Sequence, residues 1–337
     1  MEYRREVMMR SSSHKWLSSP VTSYSGPIES VRGFIPRYER RSFGPRLLPV
    51  EGDDSPFSPF FSEVQGYNRV YDAIVRQPIN SGDVEVPVGI VSKQYTLVQH
   101  QEIVDEALRA IRNVRIDPAE VKAELELTWY GERMRLGLLF PQRFNLKLKD
   151  EDEMGLRLEC FNSVDGSMKF MAVIGWLRFV CANGMVTGIA DSYYRRRHNQ
   201  YMEMRDIAGI LKDGIAATTK EREVYQHWMK RNVSDKKLAI WTNGHLAKKW
   251  GVKAAARTWH ITRKGQDVTF ADPFEKGKPT EKTVVMGSRV PGSVLPGDTV
   301  FAVSQALAWL AKERRDVQEQ LEWKQQIPEL VKPLMAR

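Results

Sequence analysis

The stretch VKAELELTWYGERMRLGLLF, residues 121–140, constrains the fold more than any other part of the chain. Val121, Ala123, Leu125 and Leu127 alternate with Lys122, Glu124 and Glu126, then GER interrupts and MRLGLLF runs back. A period of two sends alternate side chains to opposite sides of an extended backbone, which suits a half-buried strand and not a helix. Two such runs joined by a short polar break predict an antiparallel hairpin.

The pattern recurs in ECFNSVDGSMKFMAVIGWLRFVCANGMVTG, residues 159–188. Before and into it, Leu156, Leu158 and Cys160 fall on one side of a strand; after it, MKFMAVIGWLRFVC is long and apolar enough for a central strand. The polar residues between them raise the question of an active site or of turn chemistry. Asp165 supplies a side chain that bonds to its own backbone and Gly166 is free to take positive φ, which is what a tight turn requires; Asn162 precedes them, and Asn183 with Gly184 repeats the logic after the second strand. We therefore read Asn162, Asp165, Gly166, Asn183 and Gly184 as a structural motif. A nucleophilic Cys181 would need a histidine and an orienting carboxylate, and only His198 lies near it in sequence, so a core thiol is the better reading.

Elsewhere, residues 1–60 are rich in Ser, Pro and Arg with no sustained apolar period and read as a disordered tail. YNRVYDAIVRQ (67–77) and VEVPVGIVS (84–92) read as strands, and Val98, Ile103, Ala107 and Ile111 as one face of a helix. From Tyr193 the spacing of Met204, Ile207, Leu211, Ile215, Thr218, Tyr225 and Met229 predicts an amphipathic helix, with Arg195, Arg196 and Arg197 at its start, where the helix dipole disfavours cations. Residues 263–297 form a long Gly/Pro/Lys loop, and Val303, Leu307, Leu310, Val317 and Leu321 make a seam on a closing helix, broken at Arg314. The expected organisation is thus a tail (1–60), an antiparallel β-rich core with one helix (61–192), a basic helical segment (193–262), the loop (263–297) and a C-terminal helix (298–337). The fold class is α+β: an antiparallel sheet built from hairpins and packed by long amphipathic helices.

Charge points to a partner. The chain carries a formal +9, and residues 193–265 hold 17 Lys or Arg against 6 Asp or Glu, a local +11, so the remainder sums to −2. Clustered cations are the usual footprint of a protein that meets phosphates. Arg178, Arg195, Arg196, Arg197, Lys236, Lys237, Lys248, Lys249, Lys253 and Arg257 are the candidate nucleic-acid contacts, with Trp241, Trp250 and Trp259 interleaved. Cations that follow a backbone and rings that stack on bases suit single-stranded nucleic acid, although at least two of the three tryptophans are expected to anchor their helices to the core. The two cysteines lack the spacing of a zinc site, no P-loop, H-E-x-x-H or nucleophile elbow occurs, and no metal, cofactor or catalytic residue is assigned. No apolar stretch is long enough for a membrane span and the first residues are charged where a signal peptide is apolar, so a cytoplasmic location is expected.

VGIVSKQYTLVQHQEIVDEAL, FNSVDGSMKFMAVIGWLRFVCANGM and FAVSQALAWLAKERR together resemble the phage/plasmid-like protein family, domain of unknown function 932, over roughly residues 67–330. The family's N-S-x-D-G-S turn, the Arg near the end of the next strand and the V-C-x-N-G ending correspond to Asn162, Ser163, Asp165, Gly166, Ser167, Arg178, Val180, Cys181, Asn183 and Gly184. The resemblance implies a mobile-element origin and a bacterial cytoplasm, and brings no catalytic residues. Strands followed by a long basic helix also look like the core of Rad52-like annealing proteins, an analogy of fold alone. The expectation is a nucleic-acid-binding protein, taking single-stranded DNA in annealing or recombination and self-associating through the closing seam. The alternatives are a protein-binding accessory that modulates host defence or replication, and then an enzyme with an unrecognised site.

Overall fold

The computed structural model describes residues 21–42, 68–147, 153–178, 186–196, 198, 206–263, 298–312, 314 and 317–336. The strands are β1 (Thr22–Pro27), β2 (Tyr38–Ser42), β3 (Tyr71–Arg76), β4 (Val86–Ser92), β5 (Lys122–Leu127), β6 (Arg133–Leu139), β7 (Leu146–Lys147), β8 (Glu153–Ser163), β9 (Phe170–Arg178) and β10 (Val186–Arg196). The helices are α1 (Ile28–Val31), α2 (His100–Asn113), α3 (Asp206–Lys230), α4 (Asp235–Trp241), α5 (Ala247–Trp250), α6 (Val252–Arg263), α7 (Val300–Lys312) and α8 (Val317–Met335). A π-helical turn, Thr242–Leu246, joins α4 to α5. The class is α+β, and every strand pairing is antiparallel.

The hairpin read from residues 121–140 is β5–β6, with Leu125 opposite Leu136, and the second is β8–β9, with Leu158 opposite Ile174. They form the centre of a seven-stranded sheet in the order β1-β5-β6-β8-β9-β10, with β7 beside β8; β2-β3-β4 make a separate three-stranded sheet. One alternating set, including Leu125, Leu136, Leu158, Cys160 and Ile174, is buried in the main core with α2 and α3 residues such as Ile103, Ile111, Ile207 and Leu211. That matches the predicted apolar faces. The opposite set on β8 and β9, Phe161, Met171 and Val173, packs with Leu321 of α8 and Val21. The central strands are therefore buried on both faces.

Three expectations change. The tail does not run unbroken to residue 60: Thr22–Pro27 pairs along β5, and Ile28 and Val31 are buried in the main core. A six-residue edge strand needs little apolar content of its own when its ladder bonds come from a stronger neighbour. The helix does not begin near Tyr193. Tyr193, Tyr194, Arg195 and Arg196 pair with Val173, Ala172, Met171 and Phe170 in the sheet, and α3 starts at Asp206, so Arg195 and Arg196 end a strand. Third, the closing segment is two helices, and Val303, Leu307 and Leu310 are buried in the main core of this one chain. Arg314 lies between them with its guanidinium 4.5 Å from the Trp323 ring centre and 3.5 Å from Glu319. The seam that suggested self-association is internal. The 263–297 loop lies outside the described residues apart from Arg263.

Burial of this seam makes a specific demand on stability. Leu307→Ala should lower the unfolding free energy by about 2–5 kcal/mol in urea titration, with no change of molecular mass in light scattering.

Candidate functional site

Three groups of polar residues stand out, and the first surrounds the turn between β8 and β9. Asp165 Oδ1 accepts from Ser167 N at 2.9 Å and from Ser167 Oγ at 2.6 Å. Arg133 Nε donates to Ser167 Oγ at 3.0 Å, and its nearest approach to the Asp165 carboxylate is 3.6 Å. Gly166 has φ of 75°, a conformation that a side chain resists, and a Cβ there would stand 3.3 Å from Val91 of the small sheet. Asp165 itself presses on β4, since a Cβ on Gly89 would fall 2.6 Å from its Cα. The turn thus wedges the two sheets together, and its polar groups serve its own geometry.

Behind the turn lie two buried histidines. His100 Nε2 donates to the Gly131 carbonyl at 2.9 Å, which also accepts from the Tyr38 hydroxyl, while His100 Nδ1 faces the Asn162 Nδ2 amide at 2.9 Å. The same amide donates to the Val98 carbonyl at 3.1 Å. An amide on one ring nitrogen and a carbonyl on the other leave room for one proton only, so the ring is neutral. Burial pushes the His100 pKa down to about 4, against the opposing pull of the Gly131 hydrogen bond. His198, 7% exposed, stacks on Tyr95 with ring centres 5.0 Å apart, and neither of its ring nitrogens has a hydrogen-bond partner among the described residues. Burial lowers its pKa to about 4 as well. Tyr95 completes the group by donating to the Ser163 carbonyl at 2.9 Å.

The second group lies on the other face of the large sheet. Glu159, in the middle of β8 and fully buried, accepts from Arg135 Nη2 at 2.6 Å and has Arg157 Nε at 3.3 Å. Arg157 also donates to Glu124 at 2.7 Å, and Arg135 lies 3.5 Å from Glu126. There is space for the Arg157 guanidinium because Gly137 lies beneath it: a Cβ at that position would be 2.1 Å from Nη2. Lys324 of α8 is buried over this array. Its pKa is lowered by burial and by the neighbouring Arg135, Lys312 and Arg157, with Glu159 opposing. Cys160, on the core side of the same strand, has its thiol pushed up to about 12 by burial and is an inert core residue.

The third group is the basic helical surface. Lys236 and Lys237 are on α4, Lys248 and Lys249 on α5, Lys253 and Arg257 on α6. Lys237 is half-buried and, with Arg231, donates to the Ala336 carbonyl at the end of α8. The other five are exposed and carry no ion pair among the described residues. All three tryptophans face inward, at 4% exposure for Trp241, 8% for Trp250 and 4% for Trp259. Trp241 Nε1 donates to the Leu330 carbonyl and Trp250 Nε1 to Gln326 Oε1, each at 2.9 Å, and Trp250 stacks on Trp323 at 4.2 Å. All three are anchors, where at least two are expected from the sequence.

Arg178 ends β9 opposite Met154, and Arg195 and Arg196 lie on the edge strand β10, so the structure puts these arginines on the sheet and the lysines on the helices. Arg197, Cys181, Asn183 and Gly184, like the side chains of Arg178, Arg195 and Arg196, lie outside what is described. Tyr95, His100, Arg135, Arg157, Glu159 and Lys324 were not singled out from the sequence. Opposite charges at outward positions of neighbouring strands were the available signal for Arg135, Arg157 and Glu159. Tyr38 lay in the presumed tail. Among the described residues no helix is long and apolar enough to cross a membrane, and no group of three or more His, Cys, Asp or Glu side chains is placed to hold a metal ion.

These environments give two predictions. An unfolded histidine has a pKa near 6.5, above the folded value of about 4 for each of His100 and His198, so their contribution to stability is present above pH 6.5 and is lost as pH falls toward 4. The loss is up to about 3 kcal/mol per histidine, and His198→Phe, which keeps the stacked ring, should make the urea midpoint fall less steeply over that range. On the other face, Glu159→Gln should destabilise by about 3–5 kcal/mol by stranding two buried guanidiniums, whereas Lys324→Met should be neutral or stabilising by roughly 1–4 kcal/mol. Because the folded Lys324 pKa is depressed, its penalty is greatest below that pKa and fades as pH rises toward the unfolded value, so Lys324→Met should gain least in alkaline urea titrations.

No curated protein and no solved structure matches the chain. The wedge turn, both buried histidines, the Glu159 array with its arginines and the basic helices α4 to α6 all fall within residues 87–320. That span, well over half of the chain, matches the family described as Domain of unknown function (DUF932), and the chain belongs to this family.

Proposed function

We propose that the protein binds nucleic acid through the solvent-facing sides of α4, α5 and α6, as a component of a phage or plasmid serving recombination or strand annealing in the host cytoplasm. The observation that carries this reading is a contrast in how cations are used. Several exposed arginines elsewhere are neutralised by carboxylates, as Arg32 is by Asp105, Arg41 by Glu85, Arg112 by Glu29 and Arg143 by Glu120, and those without an ion pair among the described residues, such as Arg37, Arg69 and Arg115, are scattered singly over separate elements. Lys236, Lys248, Lys249, Lys253 and Arg257 have no such partner among the described residues. Uncompensated cations on one run of helices favour a polyanion, because each phosphate contact releases a condensed counterion.

The family description carries no activity, so the mobile-element setting rests on the sequence resemblance and the annealing role on the likeness of sheet and helix order. A second reading, a protein-binding accessory, is favoured by exposed apolar side chains on and beside the small sheet: Val70, Tyr71, Ile79, Val84 and Ile90. Large exposed side chains grouped in this way commonly mark a protein contact.

Charge reversal tests the first reading. Lys248→Glu, Lys253→Glu and Arg257→Glu together should leave the melting temperature near that of the parent and reduce affinity for a labelled oligonucleotide at low salt. The parent's log K should fall by about 0.7–0.9 per phosphate contact for each tenfold rise in salt, and the triple variant's less steeply. Affinity that does not change with salt would reject the reading. An accessory acting through the small sheet would keep its activity in the triple variant.

A further inference from the structure

We infer that this basic face is built for the phosphate backbone of duplex nucleic acid and not for the unstacked bases of a single strand. The inference rests on the reading that α4 to α6 bind nucleic acid, and it narrows the ligand class to duplex, which favours the recombination role over strand annealing.

A single strand is flexible and has a lower charge density than a duplex, so proteins that prefer it add aromatic platforms on which its bases stack. Three tryptophans on these helices looked able to do this, and none is available. Trp241 and Trp250 are buried with their indole N–H groups committed to α8, and Trp259 is buried in the main core. Among the described side chains of α4 to α6 and the π turn between them, the fully exposed ones are Lys236, Ile240, Asn243, Lys248, Lys249, Val252, Lys253 and Arg257, while His245 and His260 are half-buried. Not one of the fully exposed ones carries an aromatic ring. The large aromatic side chains exposed among the described residues, Tyr71, Trp129 and Tyr130, belong to β3 and to the turn between β5 and β6.

Without stacking on the described faces of these helices, attraction there comes from charge, and charge favours the ligand with the denser and stiffer array of phosphates. A duplex carries one phosphate per about 1.7 Å of its axis, already ordered, whereas a single strand would lose chain entropy on every phosphate brought to a lysine. The cations themselves stand on helices whose inward faces are pinned by the tryptophans. Charges carried on a fixed backbone suit a rigid rod. Such a surface touches no base edge in a defined way, so affinity should not depend on base sequence.

The test uses the full chain and one labelled oligonucleotide, presented alone and annealed to its complement, with anisotropy read across a series of salt concentrations. The duplex should bind several-fold more tightly, equally well for unrelated sequences, with a slope of log K against log salt near −4.5 if all five free cations meet phosphates and about −0.9 each applies. Lys253→Glu with Arg257→Glu should make that slope shallower by about 2. A single strand bound as tightly as the duplex, or tighter, overturns the inference and leaves nucleic-acid binding standing. Strong dependence on base sequence does the same. Binding to neither form, or to anionic lipid vesicles alone, overturns the inference together with the reading on which it rests.

Discussion

Glu159 is a fully buried carboxylate at the middle of the central strand β8, and most of the molecule is arranged around the need to compensate it. Arg135 and Arg157 do so from the adjacent strand and from two positions back on its own strand, each reaching outward to a further glutamate at the margin. Only with the charges satisfied can that face of the sheet be covered, since an unpaired ion held away from water is among the most expensive things a fold can contain. The cover is α8, whose Leu321 joins Phe161, Met171 and Val173 while Lys324 lies over the charges. Further along, α8 supplies the Leu330 carbonyl, Gln326 and the Trp323 ring that fix Trp241 and Trp250. The direction in which the lysines of α4 and α5 face is thereby tied, through one helix, to an ion cluster inside the sheet.

The junction of the two sheets follows a different economy. The small sheet meets the large one through hydrogen bonds and close backbone approach: Gln99 holds both the N–H and the carbonyl of Tyr38, Tyr38 reaches Gly131, and Asp165 abuts Gly89. Directional contacts of this sort tolerate little adjustment. They make the junction sensitive to protonation in a way that an aliphatic interface is not, because two neutral imidazoles are part of it.

The central hairpins were legible because alternation is a local signal: Leu125 and Leu136, or Leu158 and Ile174, declare a strand before any partner is known. The faces of α2 and α3 were legible for the same reason. Errors arose where a partner decides the structure. Thr22–Pro27 has almost no apolar content and becomes a strand only because β5 has an open edge. Tyr193 to Arg196 extend β10 because β9 is there to pair with, against the pull of a helical pattern that begins ten residues later. Leu307 and Leu310 make the same stripe whether they meet a second chain or their own core, and spacing does not distinguish the two. Among the candidate site residues, the lysines were found by charge alone. His100, His198 and Glu159 were not singled out as a group, since what sets them apart is burial, and burial of a polar residue is a property of the assembled fold.

The five-residue π turn at Thr242–Leu246 has a consequence of phase. A residue advances about 100° around an α-helix, so in an unbroken one Lys248 would sit about 120° around the axis from Lys236. The π turn takes in about one extra residue without advancing the axis by a full step, and this cuts the offset to about 20°. The same slip gathers Leu238, Trp241, Leu246 and Trp250 into one narrow buried sector on the opposite side. One residue of slack therefore lets a single helical rod keep its tryptophans turned to the interior and Lys236 and Lys248 in line along the outside, so the length of this turn, and not its composition, tunes that alignment.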